Sequence, residues 1–140
     1  GLAPERLILE LTERTIITHT ESARRSMDFL RSLGIRFALD DFGTSYSSLN
    51  YLRKLPFDTI KLDRSFVVGL GTDSQAEAVA GAIIHLGHAL GMKVCAEGVE
   101  TPQQMHYLID GSCDLAQGYL LGQPDWTPIH LSGNRPYGQW

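Results

Sequence analysis

Glu10, Asp40, Asp63, Glu97 and Gln117 each close a short apolar run, at successive intervals of 30, 23, 34 and 20 residues. Four of the five are carboxylates. Asp41 directly follows Asp40, and Lys61 precedes Asp63 by two residues, on the same face of an extended segment. Carboxylates gathered at one mouth repel each other and raise one another's pKa unless cations sit between them. Oxygen-only ligands select hard ions, Mg²⁺ or Mn²⁺ ahead of Ca²⁺. Successive aspartates where a strand turns can aim both side chains into one site and let one of them bridge two metals about 3.5–4 Å apart. Such a pair activates water and clamps a phosphoryl group, while a nearby lysine stabilises hydroxide or the developing phosphorane charge. Plainer roles compete. Asp40-Asp41 ahead of Phe42-Gly43-Thr44-Ser45 could cap a turn or the next helix, and Lys61 could be an ordinary ion-pair partner of Asp63 or Asp41. Glu97 is followed by Gly98, which permits close backbone approach. His85 and His88 have no partner motif, so no metal role is expected for them, and Cys95 is expected to pack inside the sheet below Glu97.

The elements that must position these residues alternate regularly. Leu7 to Leu11, Ile35 to Asp40, Thr59 to Asp63, Lys93 to Glu97 and Leu115 to Leu120 read as strands. Between them, Thr20 opens a helix with Ala23, Met27, Leu30 and Leu33 at helical spacing, stopped by Gly34. A short helix is predicted from Ser47 to Leu55. A longer one runs from Ser74 to Leu90, with Val79, Ile83, Leu86 and Leu90 on one face and Gly91 as its stop. Thr101-Pro102-Gln103-Gln104 is a capping box with proline at the first helical position, opening a helix to about Asp110. Residues 64–73 read as the one long irregular loop. Five strands alternating with four helices give an α/β fold with parallel neighbours, which need crossover connections. An open doubly wound sheet puts ligands beside its switch point only, whereas a barrel gathers every strand's carboxyl end at one mouth, so a ring of acids favours the barrel.

Composition narrows the function. The 140 residues are 43% hydrophobic and 20% charged, as in an ordinary folded domain. Twelve Lys and Arg against 16 Asp and Glu give a net charge of -4, which argues against binding DNA or RNA polymers through bulk charge. No stretch approaches the roughly 20 apolar residues of a membrane-spanning helix. Cys95 and Cys113 lack metal-site spacing and read as reduced thiols, so a cytoplasmic location is expected.

Five ordered motifs carry a more specific signal. Glu10-Leu11-Thr12-Glu13, Asp40-Asp41-Phe42-Gly43-Thr44-Ser45-Tyr46-Ser47-Ser48-Leu49, Lys61-Leu62-Asp63-Arg64-Ser65-Phe66, Ala96-Glu97-Gly98-Val99-Glu100-Thr101 and Gln117-Gly118-Tyr119 resemble those of the EAL domain. That family comprises bacterial phosphodiesterases that open cyclic di-GMP to linear pGpG on a (β/α)8 TIM-type barrel, signalling enzymes that bear on biofilm regulation. The resemblance implies that Glu10 and Asp40 bind one divalent ion, Mg²⁺ or Mn²⁺, and that Asp40 bridges to a second held by Asp41 and Glu97. It further implies that Glu97 doubles as general base and that Lys61 holds the attacking water. Asp63 belongs to the same catalytic motif. Glu13 is expected to anchor the loop from Asp41 to Ser47, and Glu100 and Gln117 to support the site or touch substrate. Ser45 departs from the glycine usual in the family, and serine would strain a positive φ.

The match covers residues 1–126 as the carboxyl-terminal portion of an EAL barrel, with 127–140 as an irregular tail. The family's Glu-x-Leu motif, an Asn ligand and a substrate-binding Arg are expected upstream of Glu10, so the chain reads as beginning inside a domain. It is expected to be inactive alone and to need the upstream part of the barrel, or a homodimer, to cover its edges. A cyclic di-GMP receptor without turnover is the main alternative. An enolase-like barrel with Mg²⁺ on strand-end acids and a lysine base is another.

Overall fold

The computed structural model describes residues 2–13, 20–43 and 52–123. The helix expected over 47–55 falls mostly outside them, as do Ser45 and the 127–140 tail. After a 3-10 turn at Pro4–Arg6 come strand β1 (Ile8–Thr12), helix α1 (Thr20–Ser32), β2 (Arg36–Phe42), β3 (Thr59–Leu62), α2 (Arg64–Val67), α3 (Ser74–Ala89), β4 (Lys93–Ala96), α4 (Pro102–Asp110) and β5 (Leu115–Ala116). All neighbouring strands pair in parallel, in the order β1-β2-β3-β4-β5. Among the described strands that order never reverses and shows no topological switch point, and the winding is that of a barrel of the TIM type rather than a doubly wound sheet. Among the described residues no helix is long and apolar enough to cross a membrane.

Alternation along the strands sorts the two faces. Phe37, Leu39, Ile60, Leu62, Val94 and Ala96 are buried together with Met27, Val67, Ala80, Ile84 and Leu108 from the helices, forming one core on the helix side. Fully burying an aliphatic or aromatic side chain of this kind stabilises by about 1.5–3 kcal/mol. Glu10, Asp40 and Lys61 occupy the intervening positions and face the other way. The sheet's outer strands leave apolar groups in solvent: Ile8 on β1 is 44% exposed and Tyr119 beyond β5 is 61% exposed.

Four local expectations are corrected. Residues 64–73 are not all loop: the Asp63 carboxylate accepts the Ser65 N–H at 2.9 Å and starts α2. Strand β2 runs on to Phe42, because its register with β3 gains an extra residue between Leu39 and Phe42, where Asp41 takes φ 56°. This bulge places two aspartates in succession at the strand end and still returns Phe42 to the core. Strand β5 ends at Ala116, since beyond it the chain bonds to the loop after β4 instead, Val99 N–H to Gln117 O and Leu120 N–H to Val99 O. Helix α3 buries Ala80, Ile83, Ile84 and Gly87 and leaves Val79 exposed, a stripe rotated from the predicted one. The predicted Thr101–Gln104 capping box on α4 is present.

Candidate active site

Lys61 rises from β3, the middle strand, so its side chain can reach acids on both sides. Its Nζ lies 2.6 Å from Glu10 Oε2 of β1, 3.2 Å from Asp40 Oδ1 of β2 and 2.7 Å from Glu97 Oε1, the first residue after β4. Lys61 is only 7% exposed. Burial pulls its pKa down, but the hydrogen bonds to Glu10, Glu97 and Asp40 outweigh that and raise it above the ordinary lysine value. Glu97 shifts the other way from most paired carboxylates: burial raises its pKa, the charges of Asp40 and Glu10 add to this, and Lys61 offsets only part. Three carboxylates around one ammonium leave a local charge of about -2, which a further cation would balance.

Backbone bonds fix the height of Glu97. Its N–H donates to Leu62 O at 3.0 Å, while Gln117 N–H donates to Ala96 O at 2.8 Å. Gln117 Nε2 then donates to Glu97 Oε1 at 2.6 Å, the same oxygen that meets Lys61. Gln117 thus contacts the Glu97 carboxylate directly. Gly98 has φ +69°, and a Cβ there would stand 2.5 Å from Arg64 Cγ. The Arg64 stem therefore lies across the residue next to Glu97, and its guanidinium reaches Glu100 Oε1 at 3.0 Å. Gly118, at φ +157°, sits where a Cβ would come within 2.2 Å of Val99 backbone atoms. Both glycines are required by close approach around the Glu97 loop.

Of the predicted residues, Glu10, Asp40, Lys61, Glu97 and Gln117 come together. Asp41 adjoins them at the bulge, exposed, with its N–H donating to Asp40 Oδ1 at 3.1 Å. Asp63 caps α2: it accepts from Ser65, a bond that lowers its pKa, and it shapes the turn after Lys61. Glu100 pairs with Arg64 rather than with Lys61. Glu13 is 1% exposed, with neither carboxylate oxygen hydrogen-bonded among the described residues. The loop it was expected to anchor is described only as far as Gly43. Cys95 is a partly buried free thiol whose pKa is pushed up to about 12, by burial first and then by Cys113 and Glu97. His88 bonds Asp114 at 2.8 Å, and Asp114 also accepts the Val94 N–H, so this histidine ties α3 to β4. Arg64 was not anticipated, and the glycine after Glu97 was the available signal.

The donor set suits a hard divalent ion, since all its ligand atoms are carboxylate oxygens. Among the described residues no group of three His, Cys, Asp or Glu side chains is placed to hold a metal ion, and Glu10, Asp40 and Glu97 each contact the Lys61 ammonium.

Comparison with known proteins identifies the family. A model described as EAL domain matches residues 1–124. Cyclic di-GMP phosphodiesterase NbdA of Pseudomonas aeruginosa is 45% identical over 89% of this chain and 16% of its own length. The solved "PaMucR Phosphodiesterase, c-di-GMP complex" superposes with a TM-score of 0.82 at 43% identity, covering 88% of this chain and 50% of that one. BlrP1 of Klebsiella pneumoniae, solved with manganese and cyclic di-GMP, gives 0.78 at 34% identity over 86% of this chain and 30% of that one. The chain thus spans 16% of NbdA and half of the solved MucR chain. With the family model matching residues 1–124 of 140, the chain belongs to the EAL domain family.

Proposed function

We propose that this chain forms part of a divalent-cation-dependent phosphodiesterase that hydrolyses cyclic di-GMP to linear pGpG. The supporting observation is the convergence of Glu10, Asp40 and Glu97 on one buried point in an EAL chain. Relatives named for this activity, and the manganese and cyclic di-GMP held by BlrP1, favour the reading. Glu10 and Asp40 would hold one ion, Mg²⁺ or Mn²⁺, and Asp40, Asp41 and Glu97 a second. Bound ions would supply an acidified water and positive charge against the phosphate.

The chain's own residues account for the rest. Glu97, whose pKa is raised by burial, is suited to take a proton from water at a carboxylate held in place through Oε1 by Gln117. Lys61 supplies positive charge where the attacked phosphoryl oxygens gain negative charge. A bond forms between the water oxygen and phosphorus, the bond to the 3′-oxygen breaks as that oxygen takes up a proton from solvent, and the ring opens to pGpG. Asp63 fixes the turn after Lys61, and Glu100 holds Arg64 over Gly98.

We assign residues 1–126 to the barrel and 127–140 to a tail. The exposed edges at β1 and beyond β5 are surfaces that the rest of a barrel of about eight strands, or a second copy, would cover. These 140 residues alone are therefore proposed to turn over little, in a cytoplasmic setting consistent with two free thiols. The test incubates cyclic di-GMP and Mn²⁺ with a complete domain carrying this sequence and separates the products. Linear pGpG supports the reading; binding without product assigns a receptor, and neither binding nor product removes the reading.

A further inference from the structure

The acids around Lys61 create an electrostatic problem before any substrate arrives. Among the described residues, the ion pairs of Glu10, Asp40 and Glu97 all go to this one ammonium. Lys61 is nearly as buried as its neighbours Ile60 and Leu62, yet its head group replaces water with three carboxylates. A lysine ammonium is a compact point charge on a flexible stem, suited to standing in for an inorganic cation and to moving aside.

We propose that Lys61 is a resident substitute cation: it holds Glu10, Asp40 and Glu97 together while no divalent ion is bound, and it yields these contacts as an ion enters. It thereby sets the affinity of the site for divalent cations. The proposal rests on the divalent-cation reading above. The contacts of the acids carry it, because all three reach the same ammonium. An ion of charge +2 brought among them would meet both attraction from the acids and repulsion from the ammonium, so part of its binding is spent displacing Lys61.

The experiment compares a complete domain carrying this sequence with its Lys61→Met variant, which keeps the aliphatic stem and removes the charge. Without metal, K61M is expected to melt about 10 °C lower, as for a broken buried ion pair in a small domain. Saturating Mn²⁺ should remove at least half of that deficit. Calorimetric titration with Mn²⁺ alone should show K61M binding about tenfold tighter than wild type. Equal or weaker binding by K61M overturns the proposal, as does a melting deficit unchanged by Mn²⁺. If neither protein binds Mn²⁺, the divalent-cation reading falls and the proposal with it; equal affinity in both removes the proposal alone. A second measurement needs no variant: acylation of wild-type Lys61, read by mass spectrometry against Lys54 and Lys93. Mn²⁺ should speed acylation of Lys61 about threefold, and an unchanged or slower rate contradicts its displacement.

Discussion

Ile60, Lys61 and Leu62 are consecutive on β3, and all three are buried, for opposite reasons. Ile60 and Leu62 turn toward the helices and lose water to apolar neighbours, while Lys61 turns toward the strand-end acids and loses water to charge. One face of the sheet is electrically neutral and closely packed. The other concentrates like charge, gathering three acids around a single ammonium. The difference teaches that apolar burial and gathered charge lie on opposite sides of the same strands, so removing an apolar side chain and removing one acid should have different consequences.

The largest separation is expected from Glu97→Gln in a complete domain. Hydrolysis should fall by about 10²–10⁴-fold while the melting temperature stays near wild type, measured by product formation beside thermal unfolding. A mild kinetic effect would count against Glu97 as proton acceptor. Ile60→Ala is the mirror image: it should destabilise by about 2–5 kcal/mol in denaturant unfolding, with activity per folded molecule retained. Gln117→Ala removes the bond to Glu97 Oε1 and should lower activity by about 10–100-fold, as loss of an orienting partner does. An effect on stability alone would show that Gln117 only closes the sheet edge.

The smallest effect belongs to the boundary between the faces. Asp63→Ala should destabilise by about 0.5–2 kcal/mol through loss of the α2 cap. The pH dependence has a definite sign. The folded-state pKa of Asp63 is lowered by its bond to Ser65, so the stability it contributes is present above the ordinary Asp value of about 3.9 and lost as pH falls below it. Wild type should therefore lose more stability than Asp63→Asn on acidification through that range. Equal losses would show that the Asp63 charge adds nothing to the cap.

Much of the site was legible because chemistry and periodicity coincide. Acids at the ends of apolar runs marked Glu10, Asp40 and Glu97, and parallel β-α alternation followed from the helix stops at Gly34 and Gly91. What escaped the sequence reading was set by single contacts. The four-residue α2 exists because one carboxylate caps it, and no periodic pattern can announce so short a helix. The bulge at Asp40-Asp41 depends on aspartate accepting a left-handed backbone, which residue type permits and does not demand. The rotation of α3 follows from Ala80 and Gly87, small residues that a hydrophobicity pattern passes over, lying buried against the sheet. Asp63 follows β3, which ends at Leu62, and its carboxylate turned to the backbone of Ser65, a choice decided by local geometry.

Asp40 is the residue through which both proposed ions are joined, so Asp40→Asn tests the account most directly. In a complete domain carrying this sequence, wild type should convert cyclic di-GMP to pGpG with Mn²⁺ and not with a chelator. D40N should lose at least about 10²-fold in that rate at an unchanged melting temperature. Near-wild-type turnover by D40N, or turnover by wild type in the presence of the chelator, would contradict a cation site built from the strand-end acids.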